Sequence, residues 1–368
     1  MVTRVRLAED RAKLRAVVVR FWILPYPTRP EPARLSRMIG RNGQRAALLA
    51  ALVAWAAAAQ AEWVTRVTDG IMGTRITVEL WADDAAQADA ANEAVLAAMR
   101  HVDETMSTYK PTSEISAVNA RAADGPMHIS RELFDLLVTA KEYSRLTDGA
   151  FDITYASVGY LYDFRKRRRP DEAQIQKALP AVNYEHVLLD DKNQTVQFSR
   201  KGVRIDLGGI AKGYAVDLGI EALKARGITH AYVGAGGDSR IIGDRFGKPW
   251  IVGIRDPLKG EGAVIARVPL VDAAISTSGD YERFFDEGGV RYHHIIDPHT
   301  GHSASKVRSA TVIAPTATRT DGLSKTAFVL GPERAMEIYN RIDDIDAIIV
   351  KLDGSVVYSN GMQPGAKH

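Results

Sequence analysis

Cysteine is missing from all 368 residues of the chain. Its absence excludes disulfides, thiolate metal sites and cysteine nucleophiles, and with them a lipid anchor on cysteine. Long hydrophobic runs are also scarce. The uncharged stretch 46–59 is shorter than the ~20 apolar residues that cross a bilayer, so stable membrane insertion is not expected. No linker rich in Pro, Gly or Ser and no internal repeat divides the sequence. Positive charge is sparse beyond the N-terminal region. Residues 1–61 hold 11 Lys and Arg against 3 acids; subtracting these from the totals of 48 and 45 leaves 37 against 42, a net −5. An acidic folded part makes nucleic acid an unexpected partner.

What is present reads as an ordinary globular chain, 46% hydrophobic and 25% charged. Arg41 and Arg45 precede the uncharged stretch, which ends in Ala59-Gln60-Ala61. This is the pattern of a cleavable export signal, with cleavage after Ala61 and a mature chain from Glu62. A signal begins close to its basic residues, so Met38 is the expected start. The expected organisation is an upstream extension at 1–37, a signal peptide at 38–61 and one domain at 62–368. No twin arginine precedes the stretch, and general secretion to the periplasm follows.

Periodicity predicts strands at 75–81, 187–189, 196–198, 203–207, 231–233, 250–254, 264–268, 310–314, 347–351 and 356–358. It predicts helices at 84–105, 131–147, 211–226 and 332–342, the second capped by Ser130 and followed by Gly149. This mixture of short strands and helices is an α+β architecture. The basic run 165–169 reads as a solvated loop.

The most informative segment is Asp206-Leu-Gly-Gly-Ile-Ala-Lys212-Gly-Tyr214. Two glycines at a strand-to-helix junction leave backbone N–H groups open to an anion, and Lys212 in the first helical turn adds charge there. The plainer alternative is a turn that needs glycine for positive φ, with Lys212 in solvent. Further polar clusters follow the same logic: Met72-Gly73-Thr74, residues 106–119, Thr147-Asp-Gly-Ala-Phe-Asp-Ile-Thr154, Gly234-Ala-Gly-Gly-Asp238, Ser276-Thr-Ser-Gly-Asp-Tyr-Glu-Arg283, His293-His-Ile-Ile-Asp-Pro-His-Thr-Gly301 and residues 320–331.

Taken together and in this order, these motifs resemble the ApbE family, the FAD:protein FMN transferases, over about residues 72–358. The resemblance implies a T-fold-like α+β domain of mainly antiparallel sheets flanked by helices. It implies an Mg2+-dependent enzyme that takes FAD as substrate, transfers FMN to a threonine hydroxyl of a target protein and releases AMP. The targets implied are exported respiratory electron-transfer proteins. An FAD pyrophosphatase and a non-catalytic flavin carrier are the rival readings. By the same resemblance Met72, Tyr109, Ala150, Phe151, Asp152, Asp206, Lys212 and Ile295 bind FAD, and His294 and Asp321 are catalytic. The metal ligands implied are the Gly209 carbonyl, Asp321 and, four residues after it, a side chain that is threonine in many relatives. Here that position is Lys325, which has no oxygen to coordinate. Either Ser324 or water completes the shell, or Lys325 meets phosphate directly. A second departure is Gly234, where relatives often have asparagine. For single residues the structural alternatives are an N-cap for Asp321, core aromatics for Tyr109 and Phe151, and a histidine held by Asp297 for His294.

Overall fold

The structure, a computed structural model, describes residues 61–260 and 262–363. The expected upstream extension, and the expected signal apart from Ala61, lie outside the described residues. The architecture is α+β and antiparallel. Eight strands build the main sheet: β1 (Glu62–Ile71), β2 (Thr74–Ala82), β3 (Ala231–Ala235), β4 (Asp238–Ile242), β5 (Ala274–Gly279), β6 (Val307–Ala314), β7 (Asp346–Lys351) and β8 (Val356–Tyr358). They lie side by side in chain order, and every neighbouring pair is antiparallel. The sheet is therefore a meander with long insertions, and those insertions carry the helices.

Six helices matter for the site: α1 (Ala85–Met106), α2 (Arg131–Leu146), α3 (Ala211–Lys224), α4 (Ala317–Leu323), α5 (Thr326–Leu330) and α6 (Pro332–Tyr339). Helix α1 starts where Asp84 accepts a 2.7 Å hydrogen bond from the Gln87 N–H. It buries Ala88, Ala91, Val95, Met99, Val102 and Met106, an i, i+3, i+4 stripe. In α2, Ser130 caps the Leu133 N–H as expected, and Gly149 has φ 77° beyond the end. Helices α1, α3 and α4 cover one sheet face. On the other, the hairpin Trp250–Arg255 and Val264–Leu270 packs on Ile241, Ile275 and Ile348. Ile242, Ala274, Ala347 and Ile349, their neighbours in sequence, face the helices, so the central strands are buried on both faces by their period of two.

The structure contains strands that the pattern missed. Strand β1 is an edge strand with one partner, and much of it is exposed, which leaves little apolar alternation to read. Strand β5 is hidden for another reason. Only Ala274 and Ile275 at its start are apolar, and the three hydroxyls that follow pair with the next strand and with α4 and the residue after it: Ser276 with Thr320 at 2.7 Å, Thr277 with Thr311 at 2.9 Å and Ser278 with Ser324 at 2.8 Å. The basic run 165–169 is exposed, with Arg169 paired to Glu287 at 2.6 Å and lying over the Tyr292 ring.

Candidate active site

The anion turn is formed differently from its sequence pattern. Val203, Ile205 and Leu207 are buried and Arg204 and Asp206 are less so, as alternation predicts, but the segment joins no sheet. Other partners satisfy its backbone. The Asn119 amide bridges Ile205, donating to its carbonyl at 2.8 Å and accepting from its N–H at 2.7 Å. The Arg204 N–H donates to Ser157 Oγ, and the Asp206 N–H to the Ile153 carbonyl. Asp206 then folds back on the turn. Its Oδ1 accepts from the Gly208 N–H and its Oδ2 from the Thr108 hydroxyl, each at 2.6 Å. Neither Gly208 nor Gly209 has positive φ. A side chain here would crowd the turn: a Cβ on Gly208 would lie 2.8 Å from Asp206 Oδ1, and one on Gly209 would lie 3.3 Å from the Phe151 ring.

Helix α3 begins at Ala211 with no side-chain cap. Lys212 in its first turn is 27% exposed and donates to Asp238 Oδ2, at the start of β4, at 2.5 Å. It also lies 3.6 Å from Asp321 Oδ2. Burial alone would lower the Lys212 pKa, but the Asp238 and Asp321 carboxylates outweigh it and hold the ammonium above its ordinary range. Asp321 is 0% exposed, in the second turn of α4. Its Oδ2 accepts from the Gly213 N–H of α3 at 3.0 Å, and its Oδ1 accepts from Lys325 Nζ. Burial alone would raise its pKa; Lys212 and Lys325 prevail and hold it below the usual carboxylate range. Lys212, Asp238 and Lys325 line a cleft of about 190 Å³ with Phe151, Thr277, Arg283 and His294, and Asp321 lies buried behind them.

A cleft with a glycine turn, a helix N-terminus and buried lysines could hold many phosphorylated ligands. Comparison with known proteins narrows the choice, because the sequence profile of the ApbE family matches residues 72–349. The chain belongs to the ApbE family. It is 33% identical over 311 residues to the FAD:protein FMN transferase of Treponema pallidum, covering 79% of this chain and 86% of that one. It is 33% identical over 298 residues to that of Haemophilus influenzae, with coverages of 78% and 86%. The crystal structure of the ApbE protein of Thermotoga maritima superposes with a TM-score of 0.75 at 34% identity, over 81% of this chain and 97% of that one. Apo flavinyl transferase ApbE of Pseudomonas stutzeri gives 0.72 at 28% identity, over 82% and 96%.

The fold brings together most of the residues carried over from the ApbE motifs. Ala150, Phe151, Asp152, Asp206, Gly209, Lys212, His294 and Ile295 all line the cleft. Asp152, however, is committed to the protein: it accepts from the Thr154 N–H and hydroxyl and from the Tyr184 N–H, at 2.6 to 2.8 Å. It shapes the floor of the cleft. Phe151 is both a core aromatic, set edge-on to Tyr143, and a wall of the cleft. Tyr109 is no core residue: its ring is 82% exposed, on the turn that Thr108 ties to Asp206. Met72 and Gly73 form the two-residue β1–β2 turn with φ 53° and 66°, the signs of a type I′ hairpin, which puts a non-glycine residue in the left-handed region. Beside Gly234 the Tyr232 ring fills the space that a side chain would enter.

The metal-ligand set is where sequence and structure diverge. Asp321 does not cap the segment after it; it lies inside α4 and binds the third residue of α3. Ser324 donates to the Asp321 carbonyl at 2.9 Å and shares its hydroxyl with Ser278, so it is taken up away from Gly209. The oxygens expected to face a cation, Gly209 O and Asp321 Oδ1, instead receive Lys325 Nζ, which also donates to Asp321 O at 2.7 Å. The residues present therefore do not fit a bare divalent ion at this position.

His294 is not held by Asp297, whose carboxylate accepts from the His299 N–H and ring at 2.9 and 3.0 Å. Its Nδ1 is buried without a hydrogen-bond partner. Burial first, then the positive side chains of Arg283, Lys325 and Lys212 and the His293 ring beside it, push its pKa from 6.5 down to about 3. Between these two values the unfolded chain holds a proton that the folded chain lacks, so His294 makes stability fall as pH drops from 6.5 toward 3. His294→Asn should flatten that slope by roughly 1.4 kcal/mol per pH unit, the value of one proton, read as urea midpoints between about pH 6 and pH 4. Equal slopes in the two proteins would mean that folded His294 does take up the proton.

Three contributors stand in the quoted motifs without having been singled out. Asp238 is the Lys212 partner. Arg283 lines the cleft and has no ion-pair partner among the described residues. Asn119, from the polar 106–119 run, clamps the anion turn. A charge directly after a glycine run, as in Gly236-Gly237-Asp238, was the available signal for the first.

Proposed function

We propose that this protein is an FAD:protein FMN transferase, like its named relatives. The observation that carries this is the convergence, in an ApbE-family cleft, of Lys212, Lys325 and Arg283, the last without an ion-pair partner among the described residues, beside Phe151 and a neutral His294. Such a cleft suits an anionic diphosphate with a ring system at one side. Phosphoryl transfer asks mainly for positioning and charge neutralisation, which these groups supply without covalent help.

The chemistry balances as follows. The acceptor hydroxyl oxygen bonds to the phosphorus on the FMN side of the FAD diphosphate. The bond from that phosphorus to the bridging oxygen breaks, its electron pair leaves with AMP, and the hydroxyl proton is released. Lys212 and Arg283 face the diphosphate oxygens. Neutral His294 accepts the hydroxyl proton; the dianionic diphosphate raises its basicity once bound, because a nearby negative charge favours the protonated imidazole. His294→Ala is expected to slow transfer about 100-fold, the scale of a lost general base. Full activity would reduce His294 to a structural part. Met72, Tyr109, Asp206 and Ile295 are assigned to FAD, with exposed Tyr109 free to stack on a ring.

The acceptor we assign is a threonine of an exported electron-transfer protein, met in the periplasm after removal of the signal at Ala61. Among the described residues no helix is long and apolar enough to cross a membrane. The test is to incubate the protein with FAD and a candidate acceptor domain, with and without Mg2+, and to take the acceptor's intact mass. A gain of one esterified FMN with equimolar AMP supports the assignment. FMN and AMP without labelling would make the protein a pyrophosphatase, and bound, uncleaved FAD would make it a carrier.

A further inference from the structure

The Lys325 side chain is anchored from three directions. Its ammonium donates to Gly209 O at 3.2 Å, to Asp321 O at 2.7 Å and to Asp321 Oδ1. An ammonium has three N–H donors, and three oxygens meet them here. Two of the three are the oxygens that the family resemblance assigns to a divalent cation. The position is sheltered, with the side chain 17% exposed, and the stem runs past Gly209, whose missing Cβ would stand 3.9 Å from Lys325 Cε. Asp321 and Lys325 are i and i+4, with the acid N-terminal to the base, the order that favours pairing.

The second carboxylate oxygen is also engaged. Oδ2 accepts from the Gly213 N–H at 3.0 Å and lies 3.6 Å from Lys212 Nζ. Neither oxygen of Asp321 is left to a metal, and Ser324, the other oxygen near, is turned to Ser278. A divalent ion on Gly209 O and Asp321 would have to displace Lys325 and tolerate two adjacent ammonium groups. We infer that the Lys325 ammonium stands in for the divalent cation, so that this chain cleaves FAD and transfers FMN without a metal at the Asp321 site. The reaction is the one already balanced above; only the origin of the positive charge changes. It is a monovalent charge, and the Arg283 guanidinium on the same cleft, without an ion-pair partner among the described residues, supplies the second.

This inference rests on the transferase reading, and its test separates the two. Purified protein is freed of metal with EDTA and mixed with FAD and acceptor, and AMP is counted with and without added Mg2+. In parallel, Mn2+ alone is titrated as an electron paramagnetic resonance probe, with and without FAD. The expected result is an AMP rate within about twofold in the two conditions and no stoichiometric Mn2+ site. Lys325→Thr should then bind one Mn2+ per chain and lose roughly 100-fold or more of its AMP rate in EDTA, recovered with Mg2+. One Mn2+ per wild-type chain, or a wild-type rate that vanishes in EDTA and returns with Mg2+, overturns the inference. Should neither protein release AMP under any condition, the transferase reading fails, and the Mn2+ titration of the wild-type chain still decides what occupies the cation position.

Discussion

Asp321→Asn should lower AMP release from FAD by about 10³-fold while the protein still binds FAD. Asparagine keeps the shape and an oxygen acceptor for the Gly213 N–H, so the α3–α4 junction survives. What it removes is the charge that fixes Lys325 and steadies Lys212. Lys212 keeps Asp238 at 2.5 Å, but Lys325 retains only two carbonyls, and the asparagine NH2 that replaces Oδ1 is a donor that cannot accept from its ammonium. A cation free to wander no longer sits where charge develops on the transferring phosphoryl group, and preorganisation is the larger part of its effect. Breaking a buried pair by removing one partner also costs stability, about 3–5 kcal/mol at its worst; here water reaching the 17% exposed lysine should keep the loss toward the small end. Denaturant midpoints, FAD titration and AMP counting on the same preparation separate these effects. A variant that folds, binds FAD and turns over at the wild-type rate would remove Asp321 from the machinery.

Gly213→Ala should damage fold and site together. A Cβ at 213 would lie 2.1 Å from the Ala317 carbonyl oxygen and 2.8 Å from Asp321 Cβ. The first of these is backbone, which cannot rotate aside as a side chain does. Helices α3 and α4 would have to separate, and the hydrogen bond from the Gly213 N–H to Asp321 would open. Overpacking typically costs about 1–3 kcal/mol and more when backbone must move, so a loss of about 3 kcal/mol or more is expected. In a domain this size that lowers Tm by roughly 6 °C or more. The alanine would otherwise help, since it is the better helix former by about 1 kcal/mol. A variant as stable as wild type would show that the helices can part at no cost.

Much of this molecule is legible in the order of its residues. The α1 stripe, the Ser130 cap and the Gly149 stop are local patterns, and each appears as its spacing implies. The 203–207 segment was half legible. Alternation tells which side chains are buried, but whether a buried extended segment joins a sheet depends on what meets its backbone, and Asn119, 86 residues away from Ile205, meets it first. Strand β5 escaped notice because its central positions are serine and threonine, satisfied by hydroxyl pairs that no pattern along one strand reveals. For Asp321 the chemistry was visible and its partners were not.

The sequence by itself determined the family, the glycine turn, the lysine at its helix start and the lysine four residues after Asp321. Those are matters of residue type and near spacing. Tertiary structure alone decided that Gly209 O lies near Asp321, that Gly213 lets two helices close on each other, and that the Lys325 ammonium joins the Gly209 and Asp321 oxygens. The reason is that a charge takes its role from the oxygens around it, and here the carbonyl it meets comes from 116 residues away along the chain.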